Sequence, residues 1–313
     1  IQTGLIQGVQ SISGTGAYRL ACELINKHHS VDNFYCPEPS WPLHRSILEL
    51  LGVKSITPYK YYSKEKSELC WDSILSTLNS APSLSAVVLQ GAGQNPTGVD
   101  FTKDQWKVIA DILIKRNLIP ILDIAYLGLT SGSIELDCYP ARLLHSLGKE
   151  MLVCVSFSKN MGLYNERVGI LGWYSPDKEV SDRLMDRLCY IIRNLYSTPP
   201  AHGAKVASRI LNNPILFEEW KVELKSMSDR IKKMRHALFE RLDFKKTPGD
   251  WSFILHQQGL FTYTRFLKPQ IKYLEDNFNI FMLESGRINI SALTEHNVGY
   301  VADAIHEAVI NFP

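Results

Sequence analysis

The chain has 313 residues, 45% of them hydrophobic, with 34 Lys and Arg against 32 Asp and Glu and a formal net charge of +2. A chain of this length buries roughly 75% of the surface that it exposes when unfolded, so its composition excludes intrinsic disorder and predicts one large domain or two smaller ones. The near-neutral charge argues against nucleic acid and anionic membranes as partners. The apolar runs are far shorter than the ~18–20 residues of a membrane span.

The six cysteines predict neither disulfides nor a metal centre. They lie far apart, without a CxxC pair and without the spacing of metal ligands. Such a pattern is typical of reduced, buried thiols in a cytosolic enzyme, so we expect a cytoplasmic protein without a metal site. Because the chain opens with Ile1 rather than Met, we expect that native N-terminal residues are missing, and a mitochondrial location stays open.

The first part of the chain alternates short apolar runs with amphipathic stretches. The runs predict strands at residues 33–36, 55–59, 86–90, 118–123 and 151–156. The stretches predict helices at residues 17–27, 43–51, 71–78, 103–115 and 141–147, with Thr102 as the N-cap of the fourth. Strands that alternate with helices predict an α/β protein with a mostly parallel sheet, whose ligand site lies beyond the carboxyl ends of the strands.

From residue 181 onward the pattern changes to longer helices and short strands. Helices are predicted at residues 182–194, 200–212 and 214–242, and a closing helix from residue 295. Short strands are predicted at residues 251–252, 260–263, 280–282 and 287–290, with turns at Gly249, Gly259 and Gly286. We therefore divide the chain into a large domain of residues 1–197 and a second part, residues 198–313, which comprises a long helix and a small α+β domain.

Ser13-Gly14-Thr15-Gly16 stands before the first long predicted helix. Hydroxyl groups and free N–H groups at a helix N-terminus favour an anion such as a phosphate. The same residues also serve as a plain helix cap, and they lack the GxxxxGK[ST] and GxGxxG spacings of nucleotide sites. Both interpretations stay open on these residues alone.

Polar side chains also follow two of the predicted strands. Asp123 ends one strand, where a carboxylate can hold a positively charged nitrogen, and Tyr126 can present its hydroxyl at the same edge. Lys159 follows another strand, where a desolvated amine can form a Schiff base, and Arg167 adds a planar donor for a phosphate. A loop Asp with a core Tyr, and a solvated Lys, are the alternatives. Taken together, however, these are the parts that a pyridoxal phosphate site requires.

The same residues lie in segments that resemble the aspartate aminotransferases of the class I aminotransferase family, in their eukaryotic cytosolic and mitochondrial form. The resemblance runs from about residue 9 to residue 309. Its most specific segments are 13–17 (SGTGA), 39–41 (PSW), 95–98 (NPTG), 123–126 (DIAY), 156–164 (SFSKNMGLY), 166–169 (ERVG), 196–200 (YSTPP) and 285–289 (SGRIN). It implies the type I pyridoxal phosphate fold, with a mostly parallel sheet in a large domain and a smaller α+β domain.

The resemblance also implies a role for each candidate residue. Lys159 would carry pyridoxal 5′-phosphate covalently and shuttle the proton of the substrate α-carbon. The other cofactor contacts would be Asp123 to the pyridine nitrogen, Tyr126 and Asn95 to the phenolic oxygen, Trp41 stacked on the ring, and Ser13, Gly14, Thr15, Ser156 and Arg167 to the phosphate. Substrate would contact Trp41 and Asn95, with Arg287 on its α-carboxylate and Arg193, from the partner of a homodimer with shared active sites, on its distal carboxylate.

Three departures from the family pattern are visible. The family often has histidine where this chain has Gln90 and Gln94, so the hydrogen bonds behind the pyridine nitrogen are open to change. It commonly has Asn in place of Thr198, which we expect to matter little. The resemblance also implies an N-terminal part of the large domain, with a glycine that closes on substrate and a tyrosine that reaches the partner's phosphate, which we expect to be absent from this chain. We therefore expect a homodimer that binds cofactor yet is a weak catalyst.

The implied activity is a reversible, ping-pong transfer of the amino group from L-aspartate to 2-oxoglutarate, giving oxaloacetate and L-glutamate through pyridoxamine phosphate. Two alternatives stay open. One is another pyridoxal phosphate reaction on the same Lys159 and Asp123, such as decarboxylation or β-elimination, against which the paired Arg193 and Arg287 argue. The other is a truncated, catalytically weak binding or regulatory protein.

Overall fold

A computed structural model describes residues 4–28 and 31–312. The strands are β1 (Ile6–Ile12), β2 (Asn33–Glu38), β3 (Ser55–Lys60), β4 (Tyr62–Ser63), β5 (Glu68–Leu69), β6 (Ala86–Gln90), β7 (Ile119–Ile124), β8 (Met151–Ser156), β9 (Val168–Tyr174), β10 (Phe261–Tyr263) and β11 (Arg287–Asn289). The helices are α1 (Ser13–His28), α2 (Leu43–Leu50), α3 (Trp71–Ser80), α4 (Lys103–Lys115), α5 (Ile134–Asp137), α6 (Tyr139–Ser146), α7 (Lys178–Leu195), α8 (His202–Asn212), α9 (Pro214–Phe244), α10 (Phe253–His256), α11 (Lys268–Phe278) and α12 (Val298–Asn311). A short 3-10 helix, Ile290–Ala292, follows β11.

The centre of the fold is a seven-stranded sheet in the order β1-β9-β8-β7-β6-β2-β3. Five neighbouring strands, from β8 to β3, run parallel, and β9 pairs antiparallel with both β8 and β1. The predicted mostly parallel sheet is therefore confirmed. Because the five parallel strands point the same way, residues that follow β6, β7 and β8 meet at one edge.

Helices cover both faces of this sheet. On one face α1, α2 and α7 pack their apolar side chains against the strands, and Trp173, 2% exposed, belongs to that core. On the other face α3, α4 and α6 form a second core. Burial on both faces explains why a central strand such as β6 is buried at all five positions, since a parallel sheet between helix layers has no solvent face.

A third core lies around the long helix α9. It is formed with α10, α11 and α12, and the two-stranded sheet of β10 and β11 borders it. Arg235 of α9 is only 3% exposed, and its guanidinium donates to the carbonyls of Ile254, Gly259 and Phe261 and to the hydroxyl of Thr262. These bonds tie the segment before and within β10 to α9.

Most of the predicted elements are confirmed. Strands β6 and β8 and helix α4 have the predicted bounds, and Thr102 caps α4 by accepting a hydrogen bond from the amide of Gln105, whose side chain accepts in return from the amide of Thr102. The predicted strands 251–252 and 280–282 are wrong. Residues 251–252 lead into α10, and residues 280–282 have no regular secondary structure after the left-handed cap at Asn279.

Two elements that pattern analysis missed frame the site. Strands β1 and β9 form an antiparallel ladder from Ile6 and Tyr174 to Ile12 and Val168. Glycine and glutamine interrupt the apolar pattern of these strands, so the sequence shows no strong alternation. The division at residue 197 stays a prediction. In residues 4–28 and 31–312 no helix combines the length and hydrophobicity needed to cross a membrane.

Two glycines of β9 provide a test of this packing. A Cβ on Gly169 would lie 2.5 Å from the carbonyl carbon of Ser13 and 2.7 Å from the carbonyl oxygen of Val155, so the main chain would have to shift. A Cβ on Gly172 would meet no atom closer than 3.7 Å. We expect Gly169→Ala to lower the free energy of unfolding by ~1–3 kcal/mol. The control Gly172→Ala should leave it unchanged or raise it by at most ~1 kcal/mol.

Urea unfolding of both variants measures the difference. Equal stability for the two variants would show that β9 does not pack against Ser13 as the structure has it.

Candidate active site

A cleft lies at the carboxyl ends of the parallel strands. Ten of the predicted site residues line it: Ser13, Gly14, Thr15, Trp41, Asn95, Asp123, Tyr126, Ser156, Lys159 and Arg167. Gln90, Ala125, Ser158 and Tyr164 line it as well. The structure thus brings together residues from the N-terminus of α1 and from the ends of β6, β7 and β8.

One end of the cleft is a cluster of hydroxyl groups. The hydroxyl of Ser13 lies 3.1 Å from that of Ser156 and 2.7 Å from that of Ser158, and Arg167 donates to Ser158 over 3.4 Å. Because α1 begins at Ser13, the free amides of its first turn are close by. Hydroxyls, amides and a guanidinium that converge in this way favour an anion, and a phosphate suits the set. Ser158 was not among the predicted residues.

The main chain at this end is held in an unusual conformation. The last pair of the β1–β9 ladder is Ile12 and Val168. Ser13 directly follows Ile12 and has a φ of 59°, and Arg167 directly precedes Val168 and has a φ of 53°. The amide of Ser13 donates to the carbonyl of Arg167 over 3.1 Å. Left-handed residues other than glycine persist where the surrounding structure determines them, and they concentrate at binding sites.

A buried pair lies at the other end. The Nε2 of His44, on α2, lies 2.9 Å from the Oδ2 of Asp123, and the two residues are 1% and 7% exposed. Among the described residues no side chain or amide donates to the other carboxylate oxygen, which leaves that oxygen for a ligand in the cleft. The sequence reasoning missed His44. Its place at the buried face of the helix that follows Trp41 was the available signal.

Lys159 and Tyr126 lie between these two ends. The Nζ of Lys159 lies 5.1 Å from the centroid of the Tyr126 ring. Burial lowers the pKa of Lys159 and Arg167 lowers it further, while the charge of Asp123 acts in the opposite direction. Burial, and then Asp123, raise the pKa of Tyr126. At neutral pH the site therefore offers an amine that loses its proton more readily than usual and a phenol that keeps its proton.

Arg287 of β11 reaches the rim of the cleft. Its Nη1 donates to the Oδ1 of Asn95 over 2.8 Å, and its guanidinium carbon lies 4.1 Å from the centroid of the Phe261 ring. Half-burial lowers the pKa of Arg287 while Tyr126 opposes the shift, and an arginine stays charged at any physiological pH. The bond from Arg287 occupies the oxygen of the Asn95 amide, so its Nδ2 remains as the donor.

Arg193 neither lines the cleft nor, unlike Arg287, donates a hydrogen bond to a residue that lines it. It lies exposed in the last turn of α7 and donates to the hydroxyl of Ser197. Trp41 does line the cleft, and its ring meets that of His44 edge-on, with the centroids 5.2 Å apart.

Comparisons with known proteins agree with this site. The family profile described as "Aminotransferase class I and II" matches residues 3–305. Aspartate aminotransferase 1 of Medicago sativa is 41% identical over 309 residues, which are 99% of this chain and 74% of the relative. The cytoplasmic aspartate aminotransferase of Oryza sativa subsp. japonica is 40% identical, over 99% of this chain and 76% of the relative.

A solved structure shows the same fold. The aromatic-amino-acid aminotransferase from Burkholderia pseudomallei, covalently bound to pyridoxal phosphate, has a TM-score of 0.95 and 34% identity, and the match covers 98% of this chain and 77% of that one. The fold and cleft are those of a pyridoxal-phosphate-dependent transaminase. The chain belongs to the class I and II aminotransferase family, whose cofactor is pyridoxal 5′-phosphate.

The residues of the cleft fit this cofactor. The hydroxyl cluster around Ser13, with Arg167, suits a phosphate dianion, and the buried carboxylate of Asp123 suits a protonated ring nitrogen. Lys159 supplies the only amine among the described residues that line the cleft. Asp123 lines the cleft, so the carboxylate oxygen that His44 does not bind is available to a positively charged ligand there.

The lowered pKa of Lys159 gives a prediction for the cofactor-free protein. Acylation of Lys159, measured against pH by peptide mapping, should reach half its maximal rate below the ordinary lysine pKa of ~10.4. Because Arg167 disfavours the charged amine and Asp123 favours it, Arg167→Gln should move this midpoint up and Asp123→Asn should move it down. A midpoint equal to that of N-acetyl-lysine amide would contradict the role of burial.

Proposed function

We propose that the chain is an aspartate aminotransferase, which transfers the amino group of L-aspartate reversibly to 2-oxoglutarate in two half-reactions. The proposal rests mainly on one observation: the Arg287 guanidinium donates a hydrogen bond to Asn95, which lines the cleft that contains Lys159. An arginine there can bind the α-carboxylate of an amino acid and so direct its α-carbon to the amine. The names of the relatives from Medicago sativa and Oryza sativa support this choice of substrate.

The proposal assigns the binding residues as follows. When bound, pyridoxal phosphate supplies an aldehyde that joins an amine and a ring that accepts electrons from the neighbouring carbon. Asp123 would hold the ring nitrogen, Tyr126 and the Nδ2 of Asn95 would donate to the phenolic oxygen, and Trp41 would cover the ring. The phosphate would be bound by the remaining predicted residues, Ser13, Gly14, Thr15, Ser156 and Arg167, together with Ser158.

Lys159 has two tasks in this proposal. Its Nζ is the covalent attachment point, and after substrate has taken that place it accepts the proton of the substrate α-carbon and later returns one. Both tasks need the amine in its neutral form, and the burial that lowers the pKa of Lys159 makes that form more available. Tyr126 keeps its own proton, so its hydroxyl acts as a hydrogen-bond donor and does not take the proton of the substrate α-carbon. The centroid of its ring lies 5.1 Å from the Nζ of Lys159.

The distal carboxylate of a dicarboxylic substrate needs a second cation. Arg193 is exposed on α7 and lies outside the cleft of its own chain. In this proposal Arg193 therefore serves the cleft of a second copy, in a homodimer with shared sites.

The proposal also keeps the division at residue 197 between the large domain and the long helix with its small domain. A cytoplasmic location is supported by the cytoplasmic relative from Oryza sativa.

The first test is covalent attachment and turnover. Borohydride reduction of the cofactor-loaded protein should fix the label on the peptide that contains Lys159, and Lys159→Ala should lower aspartate–2-oxoglutarate turnover at least ~100-fold because the proton acceptor is lost. Lys149→Ala is the matched control, since burial also lowers the pKa of Lys149 but this residue lies before β8, at the opposite edge of the sheet. Label on another peptide, or turnover that survives Lys159→Ala, would refute the assignment.

The second test concerns the distal carboxylate. A charge-assisted bond to a carboxylate contributes about 1.5–3 kcal/mol, so Arg193→Asp should lower kcat/KM for aspartate at least ~10-fold and leave that for alanine nearly unchanged. Arg187→Asp, an exposed change on the same helix, controls for the altered charge of α7. An unchanged preference for aspartate over alanine in Arg193→Asp would show that another residue binds the distal carboxylate.

A further inference from the structure

A chain of side-chain contacts runs from Asp123 away from the cleft to Gln90. The Oδ2 of Asp123 meets the Nε2 of His44 at 2.9 Å, and the Nδ1 of His44 meets the hydroxyl of Ser40 at 2.7 Å. That hydroxyl accepts from the Nε2 of Gln90 over 3.3 Å. Since histidine, serine and the amide can each donate or accept, the chain has a direction only if one member is fixed.

Gln90 is the fixed member. Its Oε1 accepts from the amide of Asn95 over 2.9 Å, and its Nε2 lies 3.2 Å from the carbonyl of the same residue. A flipped Gln90 amide would set oxygen against oxygen and N–H against N–H, so the main chain of Asn95 allows one orientation. In that orientation the group that faces Ser40 is an N–H donor.

The direction of the remaining contacts follows. The oxygen of Ser40 accepts from Gln90, and the Nδ1 of His44 is the only other hydrogen-bond partner of this hydroxyl among the described residues, so the Ser40 proton is donated to Nδ1. Nδ1 is then an acceptor, which requires that it carries no proton. The proton of the neutral imidazole therefore lies on Nε2 and is donated to Asp123.

We infer that Gln90 is a positioning residue that holds His44 as a neutral imidazole protonated on Nε2 and thereby leaves Asp123 with a full, uncompensated negative charge. A doubly protonated His44 would instead form an ion pair with this carboxylate and weaken its attraction for a positive nitrogen in the cleft. The consequence for the cofactor ring rests on the proposed function. The position of the proton on His44 does not.

Among the described residues, the buried titratable groups around His44, apart from Asp123, are uncharged at neutral pH. The ring of Tyr18 lies 4.8 Å away and its hydroxyl donates to the main-chain carbonyl of His44, and burial raises the pKa of Tyr18 well above its usual range. Burial raises the pKa of Cys36 to about 12. The other charged groups near this side of α2 are Glu38 and Arg45, which line the outer groove with His44, and Arg45 is bonded to Glu49 in solvent.

The experiment is nitrogen-15 NMR of the full chain labelled at histidine, without cofactor and loaded with pyridoxal phosphate, at pH 7. His44→Asn identifies the signals of His44 among those of the nine histidines. In the wild type, Nε2 should be protonated and Nδ1 unprotonated in both forms. A proton on Nδ1 in the wild type would overturn the inference without any further variant.

Gln90→Glu tests the direction of the chain. A carboxylate in place of the amide accepts the proton of the Ser40 hydroxyl. The oxygen of Ser40 then accepts a hydrogen bond from His44, so Nδ1 should gain a proton. Gln105→Glu is the matched control: it makes the same chemical change at the capping box of α4 and should leave the His44 signals in place. An Nδ1 that stays unprotonated in a folded Gln90→Glu would overturn the inference.

Removal of the intermediate hydroxyl separates this mechanism from a simple effect of charge. In a Ser40→Ala background, Gln90→Glu should no longer move the proton of His44, whereas Ser40→Thr, which keeps a hydroxyl, should preserve the response. Protonation of Nδ1 that persists in Ser40→Ala/Gln90→Glu would show that the new charge acts through space. Failure of the proposed function has a different outcome. The wild type would then show Nε2 protonated and Nδ1 unprotonated, as inferred, but would not transfer amino groups.

Discussion

The carboxylate of Asp123, buried near the end of a central parallel strand, is the constraint on which the rest of the cleft depends. An ionised carboxylate at 7% exposure is unfavourable unless hydrogen bonds or opposite charges stabilise it. His44 provides one bond from the side of α2. On the cleft side the same charge raises the pKa of Tyr126 and counters the fall in the pKa of Lys159. The protonation of the phenol and the amine is thus set partly by the charge of Asp123.

Much of the site could be predicted because the topology of the sheet determines which residues lie close together. Asp123 and Lys159 follow apolar strands that pattern analysis finds, and the rule that parallel strands end at one edge brings them together. His44 could not be found in this way, since its partner is 79 residues away and a histidine on a helix is commonly a plain core or surface residue. The same holds for the bond from Arg287 to Asn95, which spans 192 residues. Local pattern also failed for residues 280–282, where Phe281 is 72% exposed despite its apolar neighbours.

Residues far from the cleft carry part of its geometry. Arg235 has no acidic partner among the described residues, yet it is almost fully buried because four oxygens of the segment 254–262 satisfy its donors. That segment includes Phe261, whose ring packs against the guanidinium of Arg287 and, edge-on, against Tyr126. A substitution at Arg235 therefore acts on the position of Arg287 through Phe261, although it is itself outside the cleft.

The same burial that prepares Lys159 for chemistry is unfavourable for folding. Since the folded state lowers the pKa of this amine, it binds the proton less tightly than the unfolded chain does. The destabilisation is complete below the folded pKa, shrinks as the pH rises between the folded and the unfolded values, and vanishes above both. Below the folded pKa the fold therefore carries the full penalty at Lys159, and the helix-covered sheet must offset it through the packing on both of its faces. Large hydrophobic cores therefore make the fold stable enough to include a cleft with a readily deprotonated amine.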